Sequence, residues 1–273
     1  MKGIAKDVLK GLLFVSLMLL LAAGCNMGML EPDTADERTS TSESMYYPLH
    51  HLSTNEFWQA SYLSPGTVIV VRPGFQWGLA ARYSTAENMV RSNQVRTIVM
   101  SGVGSSSRGT AAMAKLVANA IGEPVAGIVS GIGDWGTAFY GSQGYFVGRP
   151  NNDAGTWYHN AASLKMYQLM RDGARPFRII GHSKGSMDTA NALFRLNSEG
   201  RRSTYSQATF ISFGVGVKTP PGLARKRQYM GTSDHLGSTN TTSTDNMNYV
   251  SGRGHSLNPA MSMHVPVSGR LHR

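Results

Sequence analysis

Phe177-Arg178-Ile179-Ile180-Gly181-His182-Ser183-Lys184-Gly185-Ser186-Met187 is the stretch on which the reading of this chain turns. An apolar β-type run ends at Gly181, and a helical pattern begins after the serine and runs from Met187 to Leu196. Between them Gly181-His182-Ser183-Lys184-Gly185 matches G-x-S-x-G, a turn that lifts a serine hydroxyl out of the backbone between a strand and a helix. The glycines are needed because side chains at 181 and 185 would collide with the tight turn. Ser183 is therefore expected to be a nucleophile; the competing reading is an ordinary serine in a strand-to-helix turn.

Outward from this point, short β-branched runs alternate with helical patterns. Val68 to Val71, Thr97 to Met100, Val125 to Val129 and Phe177 to Ile180 read as buried strands, and Ala208 to Phe213, Gln228 to Gly231 and Asn248 to Ser251 as later ones. Helices are expected at Thr110 to Ile121, Trp157 to Arg171 and Met187 to Leu196. Such alternation predicts an α/β fold with a mostly parallel central sheet flanked by helices.

A serine hydroxyl is a weak nucleophile until a histidine takes its proton and a carboxylate fixes that histidine's tautomer. With this turn the acid and then the base follow in chain order. Downstream carboxylates are Asp188, Glu199, Asp234 and Asp245. Asp188 is one turn into the helix and Glu199 at its far end, while Asp245 lies in a polar Thr/Ser/Asn loop. Asp234, in a Gly-Thr-Ser-Asp turn directly after a strand, is the expected acid. Among His235, His255, His264 and His272, the first adjoins Asp234 on the same turn and the last lies at the C-terminus. His255, in Gly-Arg-Gly-His just after the last strand, is the expected base and His264 its rival. The oxyanion requires two backbone donors: Lys184, which follows the nucleophile, and Val103 in the glycine-rich loop Ser101-Gly102-Val103-Gly104-Ser105. Asp134 and Trp135 follow the third strand, where they would line a substrate pocket or cap a helix.

From about Arg96 to His255, the loop SGVGSSSRG, the GHSKG turn, GTSD and GRGH resemble, in that order, bacterial α/β-hydrolases of the lipase and esterase kind, with a turn similar to that of class 3 lipase-like proteins. The resemblance implies an α/β-hydrolase fold and cleavage of a carboxylic ester, preferably of a lipid, through an acyl-enzyme at Ser183. It implies no cofactor. Ser186 stands where a third small residue, often glycine, is usual. The rival reading is a binding or envelope-structural module that keeps the fold without the chemistry.

The N-terminus carries Lys2, Lys6 and Lys10 and then an apolar run from Gly11 to Ala23, the layout of a secretory signal and too short to span a bilayer comfortably. Ala22-Ala23-Gly24 before Cys25 resembles a bacterial lipobox, so residues 1–24 are expected to be a signal peptide and Cys25 a lipidated N-terminus. By resemblance to Gram-negative lipoproteins, Asn26 after the cysteine implies the outer membrane rather than the inner one. Cys25 is the only cysteine, which excludes an internal disulfide. Residues 25–45 are polar and read as a tether, leaving residues 46–273 as one domain. Loss of residues 1–24 removes three lysines and Asp7, leaving 23 basic and 15 acidic side chains, a net of +8. That charge suits anionic surfaces. The basic residues are scattered apart from Arg225-Lys226-Arg227, so nucleic acid is not an expected partner. His50-His51 and the other histidines lack metal-site spacing, and no metal is expected.

Overall fold

A computed structural model describes residues 43–102, 105–130 and 160–271. Eight strands form one sheet: β1 Val68–Val71, β2 Ala81–Arg82, β3 Thr97–Met100, β4 Val125–Ile128, β5 Arg178–His182, β6 Thr209–Phe213, β7 Arg225–Gly231 and β8 Met247–Val250. Their spatial order is β2-β1-β4-β3-β5-β6-β7-β8. From β4 to β8 every neighbouring pair is parallel, whereas β1 runs antiparallel to both β2 and β4. The protein is thus an α/β structure with a mostly parallel sheet.

Helices α1 Thr54–Gln59, α2 Tyr83–Arg91, α3 Ser107–Ile121, α4 Ala161–Arg171, α5 Lys184–Ser198, α6 His235–Asn240 and α7 Ser268–Leu271 complete the order. The sheet separates two apolar cores. Val68, Val70, Ile98, Met100, Ile179 and Phe210 face one core with α2, α4 and α5. Their neighbours Ile69, Val71, Val99, Ile180, Ile211 and Phe213 face the other with α3 and the C-terminal segment. Burial on both faces explains why these strands read as unbroken apolar runs rather than alternating ones.

Several of the helices, α1, α3 and α4 among them, begin where short polar side chains cap them. Ser53 and Glu56 form a reciprocal capping box on α1. The Ser106 hydroxyl accepts from the N–H groups of Arg108 and Gly109, and Asn160 Oδ1 accepts from Ser163 N–H. α3 starts three residues before the expected Thr110. Gly109, a poor helix former, sits in that first turn because a β-carbon there would lie 2.7 Å from the Glu43 carboxylate and 3.3 Å from the Tyr47 ring. Lys115, buried on α3, donates to Glu56 Oε1 at 2.8 Å and to Arg72 O at 3.0 Å, which ties α1 to α3.

Glu43 to Tyr47 bridge two regions far apart in sequence. Glu43 accepts from the N–H and hydroxyl of Ser106 at the start of α3. The carbonyls of Ser44, Met45 and Tyr46 accept from Asn258, Ser256 and Leu257 respectively. Among the described residues no helix is long and apolar enough to cross a membrane.

The chain passes from β3 to β4 on one side and later to β5 on the other. Their C-terminal ends therefore open a crevice where the direction of winding reverses, the usual ligand position in open α/β sheets. Ser183 follows β5, and Ser101 and Gly102 follow β3.

Candidate active site

β5 ends at His182 and α5 begins at Lys184, leaving Ser183 alone between them at φ 51° and ψ −127°. A non-glycine residue held there stores about 1–3 kcal/mol of strain and persists only where its surroundings fix it. Here Ser183 N–H donates to Phe213 O at 2.8 Å, and Ser183 O accepts from Ser186 N–H at 2.9 Å. Serine at a helix start ordinarily spends its hydroxyl on the first turn. Ser183 makes no such bond, so its hydroxyl is held out of the helix.

Both motif glycines are sterically required. A β-carbon on Gly181 would lie 2.4 Å from Ser186 Cα, and one on Gly185 would lie 2.2 Å from Met100 O. Ser186 is fully buried, and its hydroxyl sits 2.9 Å from that of Ser212. Serine is small enough for the position.

Asp234 and His255 meet. Asp234 caps α6, its Oδ1 accepting from Gly237 N–H at 2.6 Å, while Oδ2 lies 2.8 Å from His255 Nδ1. The carboxylate is fully buried and the imidazole nearly so. A carboxylate only accepts, so Nδ1 carries the hydrogen, and in the neutral form of the ring Nε2 is the nitrogen that keeps a lone pair. The imidazole lies beside the serine turn: its ring centroid is 4.8 Å from that of His182. A β-carbon on Gly214, the residue after the carbonyl that holds Ser183, would lie 2.9 Å from His255 Cε1.

The other candidates are occupied elsewhere. Asp188 pairs with Lys184 Nζ at 2.8 Å and accepts from Asn160, Glu199 accepts from the Tyr167 hydroxyl, and Asp245 accepts from the Ser243 hydroxyl. His264 donates from Nδ1 to the carbonyl of Met261 at 2.7 Å, a bond within its own turn. His235 opens α6. Lys184 opens α5, where backbone N–H groups cluster at the positive end of the helix. Val103, Asp134, Trp135, Cys25 and His272 lie outside the described residues. Among the described residues no three His, Cys, Asp or Glu side chains gather as a metal site.

Three further residues, none selected from sequence, shape the same crevice. Gly214, at φ 72°, leaves room for the two imidazoles. Tyr47 Oη lies 2.7 Å from His182 Nδ1 and accepts from Gly102 N–H at 2.7 Å. His182 Nε2 lies 2.9 Å from His255 O. Burial, with the adjacent His255 ring, pushes His182 down to about 3, so its imidazole is neutral at ordinary pH. His182 stood in plain view inside the motif, but no local signal marks Tyr47.

Compared with protein-family models and with curated proteins, the chain matches none, so the assignment of a reaction rests on the geometry around Ser183.

Proposed function

We propose that the chain is an α/β-hydrolase-fold serine hydrolase that cleaves a carboxylic ester, preferentially of a lipid, through an acyl-enzyme on Ser183. The observation that carries this reading is a serine hydroxyl withheld from helix capping at a strained strand-to-helix turn, beside a histidine whose Nδ1 is bound to a buried carboxylate. The sheet order, with an antiparallel strand next to one edge, supports the fold assignment.

In the reaction, Ser183 Oγ attacks the ester carbonyl carbon while its proton passes to His255 Nε2. Asp234 holds the opposite ring nitrogen and stabilises the imidazolium. The backbone N–H groups of Lys184 and Val103 receive the oxyanion. Collapse of the tetrahedral intermediate breaks the bond to the alcohol, which leaves with the proton from His255. Water, activated by the same imidazole, then releases the acid and restores Ser183. No cofactor enters these steps.

Labelling with a fluorophosphonate probe tests the reading. The pure protein is expected to label with one equivalent, and Ser183→Ala is expected to abolish it. Absence of labelling, or labelling that survives the substitution, assigns the chain instead to a binding or structural role in the cell envelope.

The location belongs to the same proposal: export by a signal in residues 1–24, lipidation of Cys25, and anchoring to the membrane that holds the substrate. Its support is the LAAGC sequence at the end of the apolar run. Intact-mass measurement of membrane-extracted protein should give a chain starting at Cys25 plus a diacylglyceryl group, lost in Cys25→Ser. A mature chain starting elsewhere with a free thiol overturns it.

A further inference from the structure

We propose that Tyr47 and His182 are positioning residues for the reaction, acting as one hydrogen-bonded chain that fixes the backbone at Gly102, directly after β3, and the backbone of His255. The proposal rests on the assignment of Ser183 and His255 given above.

The direction of each hydrogen bond follows from the acceptor at the far end. His255 O carries no hydrogen, so the bond at 2.9 Å requires that His182 Nε2 donate. A neutral imidazole then has only Nδ1 left to accept, and the neighbour there, at 2.7 Å, is Tyr47 Oη. Tyr47 therefore donates its single hydrogen to His182. Its oxygen still accepts, from Gly102 N–H at 2.7 Å and more weakly from the Ser105 hydroxyl at 3.4 Å. The result is a polar chain from Gly102 N–H through the tyrosine hydroxyl and the imidazole to the carbonyl of the proposed base.

Protonation states agree with this order. Burial holds the Tyr47 phenol well above its ordinary value, and the low value of His182 keeps the ring neutral. A charged His182 would turn Nδ1 into a donor and leave the tyrosine hydrogen with no acceptor. Both side chains are almost fully buried, so no water replaces a lost partner at small cost.

The chain touches the two loops whose placement matters. Gly102 directly follows β3 and its amide is committed to Tyr47, so the hydroxyl fixes the backbone at the point where the chain leaves β3. His255 is held at both ends, its ring by Asp234 and its carbonyl by His182. The Tyr46 ring packs edge-on against the His255 ring at 6.0 Å. Displacements of about 1 Å in such groups cost on the order of 100-fold in rate.

The test uses the full mature chain and a soluble short-chain chromogenic ester. Tyr47→Phe keeps the ring and removes the hydroxyl; it is expected to lower kcat about 10- to 100-fold with KM changed less than about two-fold. His182→Gln keeps a donor for His255 O and should retain more activity than His182→Ala. In the Tyr47→Phe/His182→Gln double variant the loss should be smaller than the product of the single losses, since both cut one chain. Rates are read well below each variant's measured Tm, so that unfolding does not enter. Wild-type kcat in Tyr47→Phe, or independent losses in the double variant, overturns the proposal. Failure of the wild type to label with a fluorophosphonate overturns instead the hydrolase assignment on which it rests, so the two failures are distinguishable.

Discussion

Under the proposed mechanism, His255→Ala is expected to lower kcat by about 10⁴- to 10⁶-fold, the scale on which loss of a triad member acts. His264→Ala is expected to change it by less than about three-fold. The contrast follows from what each imidazole touches. His255 has its Nδ1 on a buried carboxylate and its ring beside the turn that carries Ser183, whereas His264 spends Nδ1 on Met261 O, three residues back. Asp234 is equally committed, with one oxygen on Gly237 N–H and the other on His255, and has none spare for a second imidazole at the same geometry. Steady-state rates on a short-chain ester decide the matter. A near-wild-type His255→Ala together with an inactive His264→Ala would transfer the role of base.

Gly185→Ala is expected to destabilise the fold by about 3 kcal/mol or more, beyond the usual cost of one added methyl group in a packed interior. The added carbon would lie 2.2 Å from Met100 O and 2.5 Å from Ser101 O. Both are backbone atoms at the end of β3, a strand hydrogen-bonded on both sides by β4 and β5. They cannot rotate away as a flexible side chain would. Folded proteins hold only about 5–15 kcal/mol of stability, so such a loss removes a large part of it. Gly269→Ala is the control, because a β-carbon there meets nothing within 4 Å. Urea denaturation should place the Gly269→Ala midpoint at the wild-type value and that of Gly185→Ala far below. Equal midpoints would contradict the close approach of α5 to β3.

The parts of this arrangement that were legible in sequence are those fixed by short-range chemistry. A β run entering GHSKG and a helical pattern leaving it placed β5, Ser183 and α5, because a glycine that admits a neighbouring backbone leaves its mark in the sequence. The turns holding Asp234 and His255 were legible as loops directly after strands. The direction of β1 was not: Val68-Ile69-Val70-Val71 is buried on both faces, and such a run has no polarity from which parallel or antiparallel pairing can be read. β7 begins at Arg225 and not Gln228, because Arg225, Lys226 and Arg227 pair with Thr209, Phe210 and Ile211 at the more exposed end of the strand. Their charge read as surface and hid their backbone pairing. Tyr47 was illegible for another reason, since its partners lie 55 and 135 residues away. No periodicity reports a contact at such range.

The stitching of Glu43 to Tyr47 onto the loop at 256–258 sets a timetable for synthesis. Met45 and Ser256 are 211 residues apart, and Ser44 and Asn258 are 214 apart. At about 5–20 residues per second, the early segment waits on the order of 10–40 s for its partners to be made. Closing so long a loop carries an entropic cost that must be met before the contacts reward it. The Asp234–His255 pair and the Tyr47–His182 chain therefore cannot both exist on a growing chain until nearly all of it has been polymerised, and the crevice at Ser183 is among the last features of the molecule to take shape.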